Sequence, residues 1–135
     1  MSVFTKIIQS PNDFNHQILK IEKEYLIMLS RDPLTLGHSL VIPKLEYRDL
    51  SEIENLGAFF EKTYEWAIFI TEKLNAPAYT LKINNKLYLL EDNGHVDHIH
   101  FHIIPRYSDT DDMLNNQPER LSKEKLKDIN KMILG

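Results

Sequence analysis

Apolar residues run together or alternate in short stretches over the first third of the chain, recur at helical spacing through the middle, and alternate again near residue 100. Gln17 to Ile21 and Tyr25 to Leu29 flank the charged Glu22-Lys23-Glu24, which predicts a hairpin. Pro33 and Gly37 punctuate a loop from Arg31 to Gly37, and His38 to Ile42 then reads as a third strand, stopped by Pro43. From Ser51 the period changes. Ile53, Leu56, Phe60, Ala67, Ile70 and Leu74 lie on one helical stripe, and Ser51 with Glu54 forms a capping-box signature, so a helix of about six turns is expected. Ala78 to Ile83 and Leu87 to Leu90 read as strands around a turn at Asn84-Asn85. Val96 to Ile104 reads as a strand with His98, His100 and His102 on one face and Ile99, Phe101 and Ile103 on the other. A polar loop from Ser108 to Pro118 leads to a short helix after Ser122, with Leu126, Ile129 and Ile133 on one face.

This order gives an α+β plan: an antiparallel sheet of about five strands, one long covering helix and a short C-terminal helix. The long helix must bury its stripe against one sheet face, so Ile99, Phe101 and Ile103 should point toward it. The three imidazoles then face the other way, in a groove or at an interface. Trp66 and its helical neighbours read as core or dimer interface.

Composition narrows the possibilities. With 135 residues and 42% hydrophobic content, the chain fits one domain over 1–135, its motif-bearing part about 4–107 and its C-terminal loop and helix 108–135. The apolar run Trp66 to Ile70 falls far short of the roughly 20 residues a membrane helix needs. Met1 to Ser10 lacks the apolar core of a signal peptide, so a cytoplasmic protein with no membrane partner is expected. The chain has no cysteine, which excludes disulfides, thiolate catalysis and thiolate-ligated zinc. A net charge of −4 without a basic stripe argues against nucleic acid.

Same-side residues on a strand are about 6.5 to 7 Å apart, so three imidazoles can surround either a phosphate-sized anion or a metal ion. Spacing alone leaves both open. Two further segments bear on the choice. His98-Ile-His-Phe-His-Ile-Ile104 with Pro105-Arg106, Gly37-His-Ser-Leu-Val-Ile-Pro-Lys44 and Phe4-Thr-Lys-Ile-Ile8 together resemble, in order and spacing, the histidine triad (HIT) family's triad signature, second motif and amino-terminal strand. The resemblance covers roughly Phe4 to Tyr107.

That resemblance implies a compact α+β domain, pairing as a homodimer, that needs no metal or cofactor and acts on a purine nucleotide or related small molecule. Members attack the α-phosphorus of a nucleoside phosphoryl compound and pass through a nucleotidyl-histidine intermediate. Carried over, His100 is the nucleophile. His98 and His102 surround the phosphate oxygens, the His98 carbonyl fixes the tautomer of His100, and His38 approaches and orients the triad. Physical chemistry is compatible with this: an imidazole near its ordinary pKa of about 6.5 is largely a neutral nucleophile at cellular pH.

Some positions depart from the family pattern. Ser30 stands where relatives commonly have an aspartate that holds the ribose hydroxyls, and the nearby Asp32 is a possible substitute. Asn93-Gly94-His95 replaces a Gly-Gln-Ser/Thr segment, which puts His95 where a hydroxyl contacts phosphate or leaving group. For a further polar contact, ungapped counting lands on Leu87, while Asn84 or Asn85 serves if the hairpin differs in length. Ser2 and Thr5 stand where some relatives have a zinc-binding cysteine pair. Arg106 has two readings, a phosphate clamp or a partner for Asp109 or Asp111, and His16 sits in a solvated turn. Two alternative functions stay open: a nucleotide-binding protein without turnover, and a metal-dependent enzyme using the three histidines.

Overall fold

A computed structural model describes residues 2–90, 98–112 and 115–135. Helix α1 (Val3–Gln9) is followed by the hairpin β1 (Ile18–Ile21) and β2 (Tyr25–Leu29), then β3 (Ser39–Pro43). The long helix α2 (Leu56–Leu74), strands β4 (Ala78–Ile83) and β5 (Phe101–Arg106), and the C-terminal helix α3 (Lys123–Leu134) complete the order. The strands form one antiparallel sheet in the order β1-β2-β3-β5-β4, as the α+β reading expects.

Every residue of β2 and β3 is buried, because both faces of the sheet are covered there. Tyr25, Ile27, Leu29 and Val41 join Phe59, Ala67 and Ile70 of α2, Ile99, Phe101 and Ile103, and Leu126, Ile129 and Ile133 of α3 in the main core. The assigned apolar faces of the triad segment and of α3 are therefore correct. Leu26, Met28, Leu40 and Ile42 point the other way and pack on Phe4 and Ile7 of α1.

Four element boundaries differ from the sequence reading. Phe4 to Ile8 is not a strand: Ser2 caps a helix by accepting from the Thr5 N–H, and Phe4 and Ile7, one turn apart, are its buried stripe. The long helix starts at Leu56 with Asn55 as its cap. The capping box ahead of it joins Asp49 and Glu52 around a 3-10 turn, not Ser51 and Glu54. Leu87–Leu89 is a 3-10 turn behind Lys86 at φ 62°, so the hairpin at Asn84-Asn85 does not form. Strand β5 begins at Phe101, leaving His98 and His100 on its approach, while Val96 lies outside the described residues. Among the described residues no helix is long and apolar enough to cross a membrane.

Candidate active site

His98 is fully buried and both of its ring nitrogens are committed. A carbonyl only accepts, so Nε2–H donates to the Pro43 oxygen at 2.7 Å, and Nδ1 meets the Ser2 hydroxyl at 2.9 Å. Burial lowers the pKa of His98, partly offset by the Pro43 carbonyl and Glu46, and keeps the ring neutral. His98 therefore anchors the approach to β5 through both ring nitrogens. Its own carbonyl accepts from His100 Nδ1 at 2.8 Å. That bond puts the His100 proton on Nδ1 and the lone pair on Nε2, the tautomer the resemblance implies. The Phe4 ring packs edge-on against His100 at 4.8 Å.

A second chain of bonds fixes the third imidazole. The Leu34 N–H donates to His38 Nδ1 at 3.0 Å, so the neutral His38 ring carries its proton on Nε2. His38 Nε2 lies 2.9 Å from His102 Nδ1 and donates to it. His102 is left with its proton on Nε2, as a hydrogen-bond donor. Desolvation, with help from Lys82 and His100, holds His38 down to about 4. Desolvation followed by the charges at His100, His38 and Lys82 holds His102 down to about 2. Both rings are neutral at cellular pH, so a neutral donor on His102 stands beside His100, with ring centroids 4.8 Å apart.

The sequence matches the HIT domain family over residues 13–109. The chain belongs to the HIT family. An uncharacterised HIT-like protein of Methanocaldococcus jannaschii is 31% identical over 108 residues, covering 79% of this chain and 80% of that protein. The adenosine 5'-monophosphoramidase of Saccharomyces cerevisiae is 26% identical over 134 residues, covering 98% of this chain and 80% of the yeast protein. The crystal structure of a HIT-like protein from Bartonella henselae superposes with a TM-score of 0.78 at 24% identity, covering 98% of this chain and 93% of that one.

The remaining predicted site residues of this HIT protein are not all gathered at the triad. Ser30 and Asp32 do line a cleft of ≈ 570 Å³ with His38 and His102, and Asp32 also pairs with Arg120. The β4–β5 ladder ends at the Ile83–Phe101 pair, and Asn84 and His100 each stand one residue beyond it. Asn85 is turned away, accepting from the Leu50 N–H and donating to Asp49. Arg106 is held by Asp111 at 2.8 Å and by the Thr80 hydroxyl, so it follows the ion-pair reading and not the clamp. His95 lies outside the described residues. Leu87 is in the 3-10 turn.

Two contributors escaped the sequence reading. Lys82 pairs in register with His102 and lines the same cleft. Its signal was the alternation of β4, legible only once β4 is known to lie beside β5. Asn116, Gln117 and Pro118 form the outer wall, in a strap beyond the matched family region. Asn116 and Leu121 tie that strap to the carbonyls of Leu34 and Arg31.

The metal-dependent alternative needs imidazole lone pairs converging on one point. Both His98 nitrogens and His102 Nδ1 are already engaged, and no cluster of three metal-ligating side chains occurs among the described residues. Ser2 and Thr5 hydroxyls lie 3.2 Å apart and cap α1, with Ser2 holding His98.

Proposed function

We propose that this HIT protein is a nucleotide hydrolase or nucleotidyl transferase that acts at the α-phosphorus of a nucleoside phosphoryl compound, with a purine nucleotide as the group transferred. The observation that carries the reading is the bond from His100 Nδ1 to the His98 carbonyl, which in the neutral ring sets the proton on Nδ1 and the lone pair on Nε2, the nitrogen this reading assigns to attack. Attack forms an N–P bond and breaks the bond to the leaving group, which departs with its electron pair. The His98 carbonyl then meets the positive charge that develops on His100, and His102 Nε2–H donates to a non-bridging phosphate oxygen. Water or another acceptor afterwards cleaves the nucleotidyl-histidine. Ser30, Asp32 and Asn84 are the proposed contacts to ribose and phosphate, and His95, by motif position alone, to the leaving group. Phosphoramidates, adenylylated acids and dinucleoside polyphosphates are the candidate substrates, the first class supported by the yeast relative.

The test is rapid quench with a labelled nucleotide from each class, followed by peptide mapping. Label on His100, nucleoside monophosphate as product and no turnover by His100→Ala are expected. Nucleotide binding with no turnover above that variant would leave a binding protein instead.

A homodimer belongs to the same proposal. Among the described residues strand β4 is a sheet edge with unpaired backbone groups. Beside it α2 exposes Phe60 by 44% and Tyr64 by 53%, and Leu81 of β4 shares that helix-side face.

A further inference from the structure

Catalysis at a phosphorus centre needs positive charge where the substrate is negative, and His38, His98 and His102 do not supply it. His38 and His102 stay neutral across the cellular range because they are desolvated first of all, and because His100 and Lys82 stand close to both. His98 is buried and turned into its own bonds. In the cleft that His38 and His102 line with Ser30, Asp32, Leu34, Ile104 and the strap, Lys82 is the one cationic side chain among the described residues. Asp32 already has Arg120. Lys82 has no carboxylate partner among the described residues, whereas Lys62, Lys86, Arg106 and Arg120 each have one.

Position reinforces this. Lys82 is directly across the ladder from His102, and His100 is the diagonal neighbour, about 7 to 8 Å between backbones and within reach of a lysine side chain. The backbone sets the residue on the histidine face, because Leu81 and Ile83 on either side pair with Ile103 and Phe101 of the core.

We propose that Lys82 is the anion-binding residue of this site, its ammonium meeting the phosphate charge of a bound nucleotide. The proposal rests on the nucleotide reading above. It specifies that the phosphate group, not the nucleoside, is what Lys82 recognises. Desolvation keeps the two imidazoles neutral, and a fixed ammonium nearby adds to the free energy of charging them and takes over their electrostatic role.

The test is calorimetric titration of the full chain, wild type, Lys82→Gln and Lys82→Arg, with AMP and with adenosine. Lys82→Gln is expected to weaken AMP by about tenfold, the usual scale of one charge-assisted contact, with adenosine unchanged and Lys82→Arg close to wild type. AMP binding unchanged in Lys82→Gln overturns the proposal. So does an equal loss of AMP and adenosine, which would mean that Lys82 only shapes the cleft. If wild type binds neither compound, the proposed function fails and inorganic phosphate decides the matter, followed by the histidine ring-proton shifts. A saturable shift in wild type that Lys82→Gln lacks supports the anion site, and identical shifts in both overturn it.

Discussion

A neutral imidazole donates one hydrogen bond and accepts one, so fixing either partner fixes the other. Leu34 N–H, His38 and His102 are linked in that way, and the direction of the whole chain follows from a single backbone amide. Replacing His38 by Phe removes the donor to His102 Nδ1 and lets that ring populate both tautomers. The expected result is a kcat lower by about 10², the usual effect of losing one positioned donor, with 15N shifts of His102 changing from one tautomer to a mixture. An unchanged tautomer would remove the relay from the account. Acid stability is bound to the same residues. His38 is held down to about 4, while the unfolded chain protonates near the ordinary value of 6.5. Between those values unfolding takes up a proton, so stability is complete above about pH 6.5 and falls as pH drops. His38 alone accounts for about 2 kcal/mol lost at pH 5, read as the part of the urea-midpoint difference between pH 7 and pH 5 that His38→Gln removes. Equal midpoints, or an undiminished acid effect in His38→Gln, would show that this ring is not responsible.

Three elements meet at the turn that delivers His38. Gly37 adopts φ 85°, and a Cβ there would run into the Leu74 side chain at the end of α2, with Pro105 of β5 also close. Gly37→Ala therefore combines backbone strain with overpacking and should cost about 3 kcal/mol in urea unfolding. It should also impair activity, since His38 is the next residue. A variant as stable as wild type would mean that the turn yields more easily than this packing implies. At this scale the sequence was informative where burial is one-sided. The helix stripe Leu126, Ile129 and Ile133, the hairpin of β1 and β2, and the inward face Ile99, Phe101 and Ile103 were all legible from period. Period was insufficient for short segments. Seven residues of α1 are too few to specify a helix in isolation, and their packing against Leu26, Met28, Leu40 and Ile42 settles the matter. Leu87–Leu89 has strand-like composition, yet Lys86 at positive φ turns the chain before any ladder forms.

Across the whole molecule, the sheet separates a structural side from a chemical side. Helices α2 and α3 cover one face, and α1, the strap and the triad occupy the other. The open β4 edge is the proposed seam between two copies. Sedimentation should give twice the 15.9 kDa chain mass, and Tyr64→Glu should shift it toward one chain. A wild type that sediments as a single chain at every concentration would exclude the seam. The sequence by itself determined the family, the α+β class and the side of the sheet on which the histidines stand. Those follow from short-range spacing: alternation on a strand, helical stripes and two motifs with histidines at fixed offsets. Only the tertiary structure decided that His98 is an anchor, that Arg106 pairs with Asp111, that Asn85 is turned to Asp49 and Leu50, and that Lys82 lies across from His102. Each of those depends on which strand lies beside which, and on what register. Residues far apart along the chain become neighbours only when the core closes.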